Sequence, residues 1–448
     1  MSAAAARAGI ALAAVLAIAG CDFGGPGPIP STLYEGTPPL AVVGPPVTRP
    51  GPRLSPEESR ALGPAAALTP LFAALEALDN RTAATPVVIM QLGDSHSASD
   101  FLSGRMRELF QRRFGAAGRG MLPPGMAYPY FRPNLVKVGE SDGWRRASSR
   151  ASSGPFGLGG VIQQAQEGEA SATLTATEDA GFDRAFFEVL RQPGAGAVRM
   201  QVDRGTVHEF ATAAGSIESH WIEFNTPPRS RTISLGTGGD RPVTVLSWGT
   251  QRQVPGIVYE NLGIVGATVD IVGHWDVATV AAELGRRAPA LIVVAYGTNE
   301  GVAPASTLTG YAERFASRVR RLGAASPQAA ILVVGPPDVN RRAGDGVSCG
   351  AWSVPPSLDT VREAQRQAAA RDGWYFWDWQ AAMGGPCAID RWTQATPPLA
   401  HPDHVHLRRE GYAISADLLF AELMKGYERY RARAARVSKA ATAPDRAS

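Results

Sequence analysis

A serine, a histidine, an aspartate and an asparagine stand in this chain where a hydroxyl nucleophile would need them. Ser95 follows Gly93-Asp94 directly behind the apolar run Val87-Val88-Ile89-Met90-Gln91-Leu92. Such a run reads as a buried strand, which puts Ser95 at the start of the helix that follows. A serine hydroxyl is a weak nucleophile at neutral pH and needs a base to take its proton. A helix start exposes the hydroxyl and points backbone N–H groups and the helix dipole at developing negative charge. The base is read as His406, in Asp403-His404-Val405-His406. Asp403, three residues earlier, can share a loop or helical turn with it, orient the imidazole and stabilise the imidazolium. His401 and His404 crowd the same segment and raise zinc as an alternative. Zinc needs three or four convergent ligands, and no second His or Cys cluster stands elsewhere, so the reading is a triad with no metal.

An ester carbonyl attacked by serine becomes an oxyanion, which must meet donors already in place. The backbone N–H of Ser95 is one. Asn299, in Gly297-Thr298-Asn299 behind a second buried strand, supplies a side-chain amide. Gly266, in the turn of Asn261-Leu262-Gly263-Ile264-Val265-Gly266-Ala267-Thr268, is the third, with Gly263 as the alternative. Such acyl chemistry requires no organic cofactor.

Those residues must be positioned by a sheet. Buried strands are expected at 87–92, 290–296, 330–334 and 374–377, alternating with helices near 101–110, 308–322, 358–371 and 411–423. That alternation predicts a parallel sheet covered on both faces, an α/β unit over 57–124 and 255–428. Residues 125–254 break the rhythm. They are rich in Gly, Ser and Thr and carry short alternating runs, which predicts an inserted small β-sandwich domain. Its Trp221, Phe224 and Trp248 either line a sugar-binding face or fill the core. The basic stretch 429–448, with Arg429, Arg431, Arg433, Arg436 and Lys439, is expected to be a disordered tail.

The chain has 448 residues, 44% hydrophobic and 19% charged, so a substantial core is affordable and extended disorder is not expected. A net charge of +3 leaves no nucleic-acid footprint. At the start, Arg7 precedes an apolar stretch ending Leu16-Ala17-Ile18-Ala19-Gly20-Cys21. This has the length of an export signal, and no other segment reads as long enough to span a bilayer. Small residues before a cysteine resemble a bacterial lipoprotein cleavage site, with Cys21 lipidated and residues 1–21 as the signal; a plain secretory signal is the other reading. Residues 22–56 contain ten prolines and read as a spacer from the membrane. Cys349 and Cys387 then remain, either as a disulfide or as two buried thiols.

Together, Gly93-Asp94-Ser95, the Gly266 segment, Gly297-Thr298-Asn299 and Asp403-x-x-His406 resemble the four blocks of the SGNH (GDSL) hydrolase superfamily, in family order. The resemblance implies a flavodoxin-like three-layer α/β/α fold. It also implies Ser95 as nucleophile, His406 as base, Asp403 as its orienter, and an oxyanion hole of Ser95, Gly266 and Asn299. Two longer runs narrow it: Gly93-Asp94-Ser95-His96-Ser97-Ala98-Ser99-Asp100 and Phe114-Gly115-Ala116-Ala117-Gly118-Arg119-Gly120-Met121. With the β insertion and the signal, these are similar to periplasmic peptidoglycan O-acetylesterases, which deacetylate the 6-hydroxyl of muramic acid. The implied activity is a serine esterase acting on O-acetylated cell-wall glycan, lipid-anchored in the cell envelope. A peptidoglycan or polysaccharide O-acetyltransferase with the same triad, and a non-catalytic wall-binding lipoprotein, are the alternatives. Glu300 departs from the family, in which many members carry Asp after the asparagine. His96 is read as local structure.

Overall fold

Every residue of Val87–Gly93 is buried, as a strand must be when helices cover both of its faces. In the computed structural model, which describes residues 54–442 apart from 167 and 343, five parallel strands form one sheet. They are β1 (Val87–Gly93), β2 (Ile257–Gly263), β3 (Leu291–Ala295), β4 (Ala330–Val334) and β5 (Tyr375–Trp377), in the spatial order β2-β1-β3-β4-β5. Alternate side chains serve opposite layers, since a strand's side chains point to its two faces in turn. Ile89, Leu291, Val293 and Leu332 pack with Phe72, Phe110, Tyr412 and Leu419 on one face. Met90, Leu92, Ile292 and Val294 pack with Val280, Leu284, Phe315 and Val361 on the other. Each fully buried Leu, Ile or Phe contributes about 1.5–3 kcal/mol.

β2 is not among the strands expected from the sequence, and Glu260 and Asn261 interrupt its apolar residues. Both are buried and both are paired. Glu260 meets Arg287 at 2.7 Å, and the Asn261 amide donates to the Ser97 carbonyl at 2.7 Å. A buried charge or amide is tolerated once it is paired, so a polar strand can still be a core strand.

Between the Ser95 region and β2 the chain builds two antiparallel sheets. One contains Phe182–Arg191, Glu218–Ser230, Val243–Gln251, Val161–Ala165 and Trp144–Ser148, with Gly120–Leu122 joined to Val243–Gln251. The other contains Val136–Glu140, Ser171–Ala176, Thr232–Thr237, Ala197–Val202 and Val207–Ala211. A single apolar cluster takes residues from both, among them Leu174, Leu235, Phe187, Phe224 and Trp248. Phe224 and Trp248 are fully buried there. Trp221 is buried too and stacks on Phe186 with ring centroids 4.6 Å apart. All three aromatics therefore fill cores and none offers an open face for a sugar.

Two expectations need correction. Residues 429–442 are not a disordered tail, because one helix runs from Arg409 to Thr442. Tyr430 is buried, Arg431 meets Asp79 at 3.4 Å, and Arg433 meets Glu58 at 3.4 Å. Between these arginines and Arg429, Tyr430 packs on the N-terminal helices, its ring 5.7 Å from that of Phe72. The run Pro56–Asp79 does have the length and hydropathy of a membrane span. Its Leu62, Leu68, Leu71, Phe72 and Leu75 are nevertheless packed into the core. Cys21, the signal segment and most of the spacer lie outside the described residues.

Glu188, in Phe182–Arg191, and Glu283, in the helix Val277–Arg287, are buried carboxyls close enough to influence each other's charge. Glu283 also accepts from the Leu158 N–H at 2.6 Å, so the pair fastens the antiparallel region to the helix that covers the parallel sheet. Burial raises Glu188 to about 7 and Glu283 well above its ordinary range. Between the ordinary value of 4.5 and these raised values, the folded protein holds protons that the unfolded chain has released. Stability therefore falls as pH rises through that window. Glu283→Gln keeps an acceptor for Leu158 but removes the proton linkage. Its thermal midpoint should drop less between pH 5 and pH 8 than that of the parent, and equal drops would assign the pH dependence to other groups.

Candidate active site

At the carboxyl ends of the central strands, Gly93 lies between Gly263 of β2 and Ala295 of β3. This is where the strand order reverses, the place at which open α/β sheets bind ligands. The three chain segments leaving these strands carry Ser95, Gly266 and Asn299. Two glycines allow the serine turn to rest directly on the strand ends. A Cβ at Gly93 would stand 2.3 Å from Ser97 Oγ and 2.7 Å from the Ala295 carbonyl oxygen. One at Gly263 would stand 2.4 Å from the Ala98 nitrogen.

Asp94 caps the turn Ser95–Ala98, its Oδ1 accepting from the His96 N–H at 3.0 Å. The turn is then held from below by Gln91 Nε2, which donates to Ser97 Oγ at 2.7 Å, and by Asn261, which grips the Ser97 carbonyl. At its far end Asp100 is buried and accepts from Arg107 at 2.9 and 3.2 Å, Ser103 Oγ at 2.7 Å and the Asn134 N–H at 2.8 Å. Arg119 stands 3.6 Å away.

Ser95 Oγ lies 3.0 Å from His406 Nε2, and His406 Nδ1 lies 2.8 Å from Asp403 Oδ2. The other Asp403 oxygen accepts the Val405 and His406 N–H groups at 2.9 and 3.0 Å. These bonds outweigh the partial burial that acts the other way and hold Asp403 well below the usual carboxylate range. The hydrogen bond to Asp403 raises His406 above its ordinary value. With Nδ1–H donating to Asp403, Nε2 is left to accept from the serine hydroxyl, the arrangement a general base requires.

On the oxyanion side, Asn299 Nδ2 donates to the Ala267 carbonyl at 2.8 Å. An amide nitrogen has two hydrogens, so one remains for a ligand. Gly266, with φ +71°, adopts the left-handed conformation that glycine takes without strain. Its N–H has no protein partner among the described residues. The Gly263 N–H, by contrast, donates to Asn261 Oδ1 at 3.0 Å. Of the two glycines, only Gly266 has a free donor. The Ser95 N–H, at the first position of its helical turn, has no intrahelical partner.

His404 stacks on Trp352, with ring centroids 3.7 Å apart, and faces Asp390. His401 is exposed. Among the described residues no group of three His, Cys, Asp or Glu side chains could hold a metal. Cys349 and Cys387 are joined, with Cα atoms 5.5 Å apart. Closing a loop of 38 residues contributes about 4 kcal/mol by chain entropy. Glu300 is buried and accepts from the Val269 N–H at 2.8 Å, tying the asparagine turn to the segment behind Gly266. Burial raises it to about 7.

The sequence assigns no role to Asp94, and His96 is read from it only as local structure. Asp94 is buried, which raises its carboxyl to about 6, and it faces His406 as a second acidic group. An acid directly before a helix start is an N-cap signal, and this could have identified it. His96 Nδ1 bonds the Tyr412 hydroxyl at 2.8 Å, and the ring lies 5.4 Å from that of His406. Burial lowers it to about 3, so it stays neutral. No local pattern links residue 96 to residue 412.

Residues 230–414 match the GDSL-like lipase/acylhydrolase family model. That match takes in Gly266, Asn299, Asp403 and His406 and begins after Ser95. No curated protein matches the chain by sequence. Among solved structures, that of a peptidoglycan O-acetylesterase is similar with a TM-score of 0.67 at 25% identity, over 80% of this chain and 96% of that one. A gut microbial diltiazem-metabolizing enzyme is similar at 22% identity over 37% of this chain and 39% of its own, with a TM-score of 0.29. An acetyl xylan esterase is similar at 14% identity over 37% and 80%, with a TM-score of 0.28. The family match and the superposition over 80% of the chain agree: residues 230–414 carry a GDSL-like lipase/acylhydrolase domain, and both findings support an SGNH-type hydrolase.

Proposed function

We propose that the protein is a serine esterase that removes O-acetyl groups from cell-wall glycan through an acyl-enzyme intermediate. The observation that carries this reading is the continuous hydrogen-bonded series Ser95–His406–Asp403, at 3.0 and 2.8 Å. Ser95 Oγ attacks the acetyl carbonyl while His406 Nε2 takes its proton. Asp403 stabilises the imidazolium so formed. The carbonyl oxygen becomes negative and meets the N–H groups of Ser95 and Gly266 and the remaining amide hydrogen of Asn299. His406 then returns the proton to the departing sugar hydroxyl. Water, deprotonated by the same imidazole, releases acetate and restores Ser95.

The glycan assignment is supported by the likeness to a peptidoglycan O-acetylesterase along nearly the whole of that chain. The Arg7–Cys21 segment supports a lipid anchor at Cys21 and a place in the cell envelope. Residues 125–254 are read as an inserted β-sandwich. With Trp221, Phe224 and Trp248 buried in cores, any sugar contact it makes must use other residues.

Three outcomes are expected. Ser95→Ala should lower p-nitrophenyl acetate hydrolysis by at least about a thousandfold, the scale on which loss of a triad nucleophile acts; an unchanged rate would sink the mechanism. The kcat/KM profile should rise with pH to a plateau, because His406 must be neutral to accept a proton. Its acid limb should lie above the ordinary histidine value of 6.5, since Asp403 favours the imidazolium. In Asp403→Asn that limb should move down and the plateau should fall; a limb that stays in place would assign the titration to another group. Finally, acetate release from O-acetylated peptidoglycan should exceed release from acetylated xylan. The reverse order would remove the cell-wall assignment and leave the esterase standing.

A further inference from the structure

Arg150 is the feature of this site that the triad and the oxyanion hole do not explain. It lies between the strands Trp144–Ser148 and Val161–Ala165, in the antiparallel region, yet its guanidinium reaches the Gly266 turn. A Cβ placed on Gly266 would stand 2.9 Å from Arg150 Nη1. A positive charge from one part of the chain thus covers the candidate oxyanion glycine of another.

The placement is built by the neighbouring residue. Ser149 is fully buried. Its N–H donates to the Gly160 carbonyl at 2.9 Å, its hydroxyl accepts from Trp275 Nε1 at 3.0 Å, and its carbonyl meets His274 Nδ1. Trp275 and His274 follow Gly266 by fewer than ten residues, so this clamp fixes the Arg150 backbone to the segment that supplies the oxyanion turn. Arg150 itself is exposed, and its guanidinium makes no hydrogen bond or ion pair among the described residues. By contrast, Arg146, four residues earlier, donates to the Met126 carbonyl, and Arg107 and Arg287 elsewhere in the chain are held in buried ion pairs.

An unpaired guanidinium held at the mouth of an ester site presents a planar fork of donors that matches a carboxylate. Resting on the proposed esterase reading, we propose that Arg150 is a specificity-determining residue that binds a carboxylate of the glycan substrate beside the scissile acetyl ester. Muramic acid carries such a group on the same ring as its 6-hydroxyl, as the lactyl carboxylate or as a carboxylate of the peptide attached to it. Glucosamine units carry none. The interaction adds no step to the chemistry. It selects which acetylated sugar is held with its ester over Ser95.

The test compares kcat/KM on four esters: p-nitrophenyl acetate, 6-O-acetyl-N-acetylglucosamine, 6-O-acetyl-N-acetylmuramic acid and 6-O-acetyl-muramoyl dipeptide. The parent should prefer at least one muramic ester over the glucosamine ester. In Arg150→Ala that preference should fall by about tenfold to a hundredfold, the worth of one hydrogen bond to a charged group. The loss should appear in KM, with rates on the two neutral esters unchanged and partial rescue in Arg150→Lys. Which muramic ester responds tells the lactyl carboxylate from the peptide carboxylate. Equal losses on all four esters would overturn the proposal by placing Arg150 on the oxyanion turn, and so would no loss on any. Both results leave the serine esterase intact, because that reading is tested by Ser95→Ala on p-nitrophenyl acetate.

Discussion

The buried carboxylate of Asp100 is the constraint on which the rest of the site depends. Burial alone would raise its pKa. The guanidiniums of Arg107 and Arg119 outweigh that and hold it well below the ordinary carboxylate range. It stands five positions after Ser95, and it is bonded to the helix Leu102–Phe114 through Arg107, to β2 through Asn261 at 3.1 Å, and to the antiparallel region through Asn134. A charge this deeply buried must be fully paired, since an unpaired one would cost several kcal/mol. The elements supplying its partners are therefore held in one mutual arrangement, and the serine turn is held with them.

The serine turn is accordingly more rigid than its four residues suggest. Ordinary helix propensity could not fix so short a segment, because nucleating a turn is unfavourable. Asp94 at its start, Gln91 and Asn261 beneath and Asp100 at its end replace propensity with tertiary bonds. The histidine loop shows the same logic. The Asp403 carboxylate is bonded both to the imidazole and to two backbone N–H groups of its own loop. The His401 N–H donates to the His406 carbonyl at 2.8 Å. Preorganisation of this kind lowers the reorganisation required when charge develops.

The antiparallel region is joined to the parallel sheet by more than its two connections. Phe186, Leu190 and Trp221 share an apolar cluster with Val280 and Leu284 of the covering helix. The Glu188–Glu283 pair and the Ser149 clamp lie along the same boundary. The antiparallel region therefore helps to shape the surroundings of Ser95 and the Gly266 turn.

Local chemistry in the sequence was enough for four of the five parallel strands and the serine turn, and for naming Asp403, His406 and Asn299 as candidates. Buried strands are continuous apolar runs, and reactive groups follow them at strand ends, so both leave short-range signals. The sequence could also name Gly266, but only as one of two glycines. Tertiary structure separated them, because the Gly263 N–H is taken by Asn261 while the Gly266 N–H is left open. Other features had no local signal. Glu260 and Asn261 disguised β2, since partners far along the chain are what make polar residues admissible in a core strand. The helix to Thr442 has the composition of a basic tail, and only Asp79 and Glu58, far along the chain, give its Arg431 and Arg433 partners. The aromatics of the antiparallel region could have faced inward or outward, and only sheet packing turned them in. Composition and periodicity report what one segment prefers. Pairing across more than a hundred residues, as between Ser95 and His406, is decided where the chain folds back on itself.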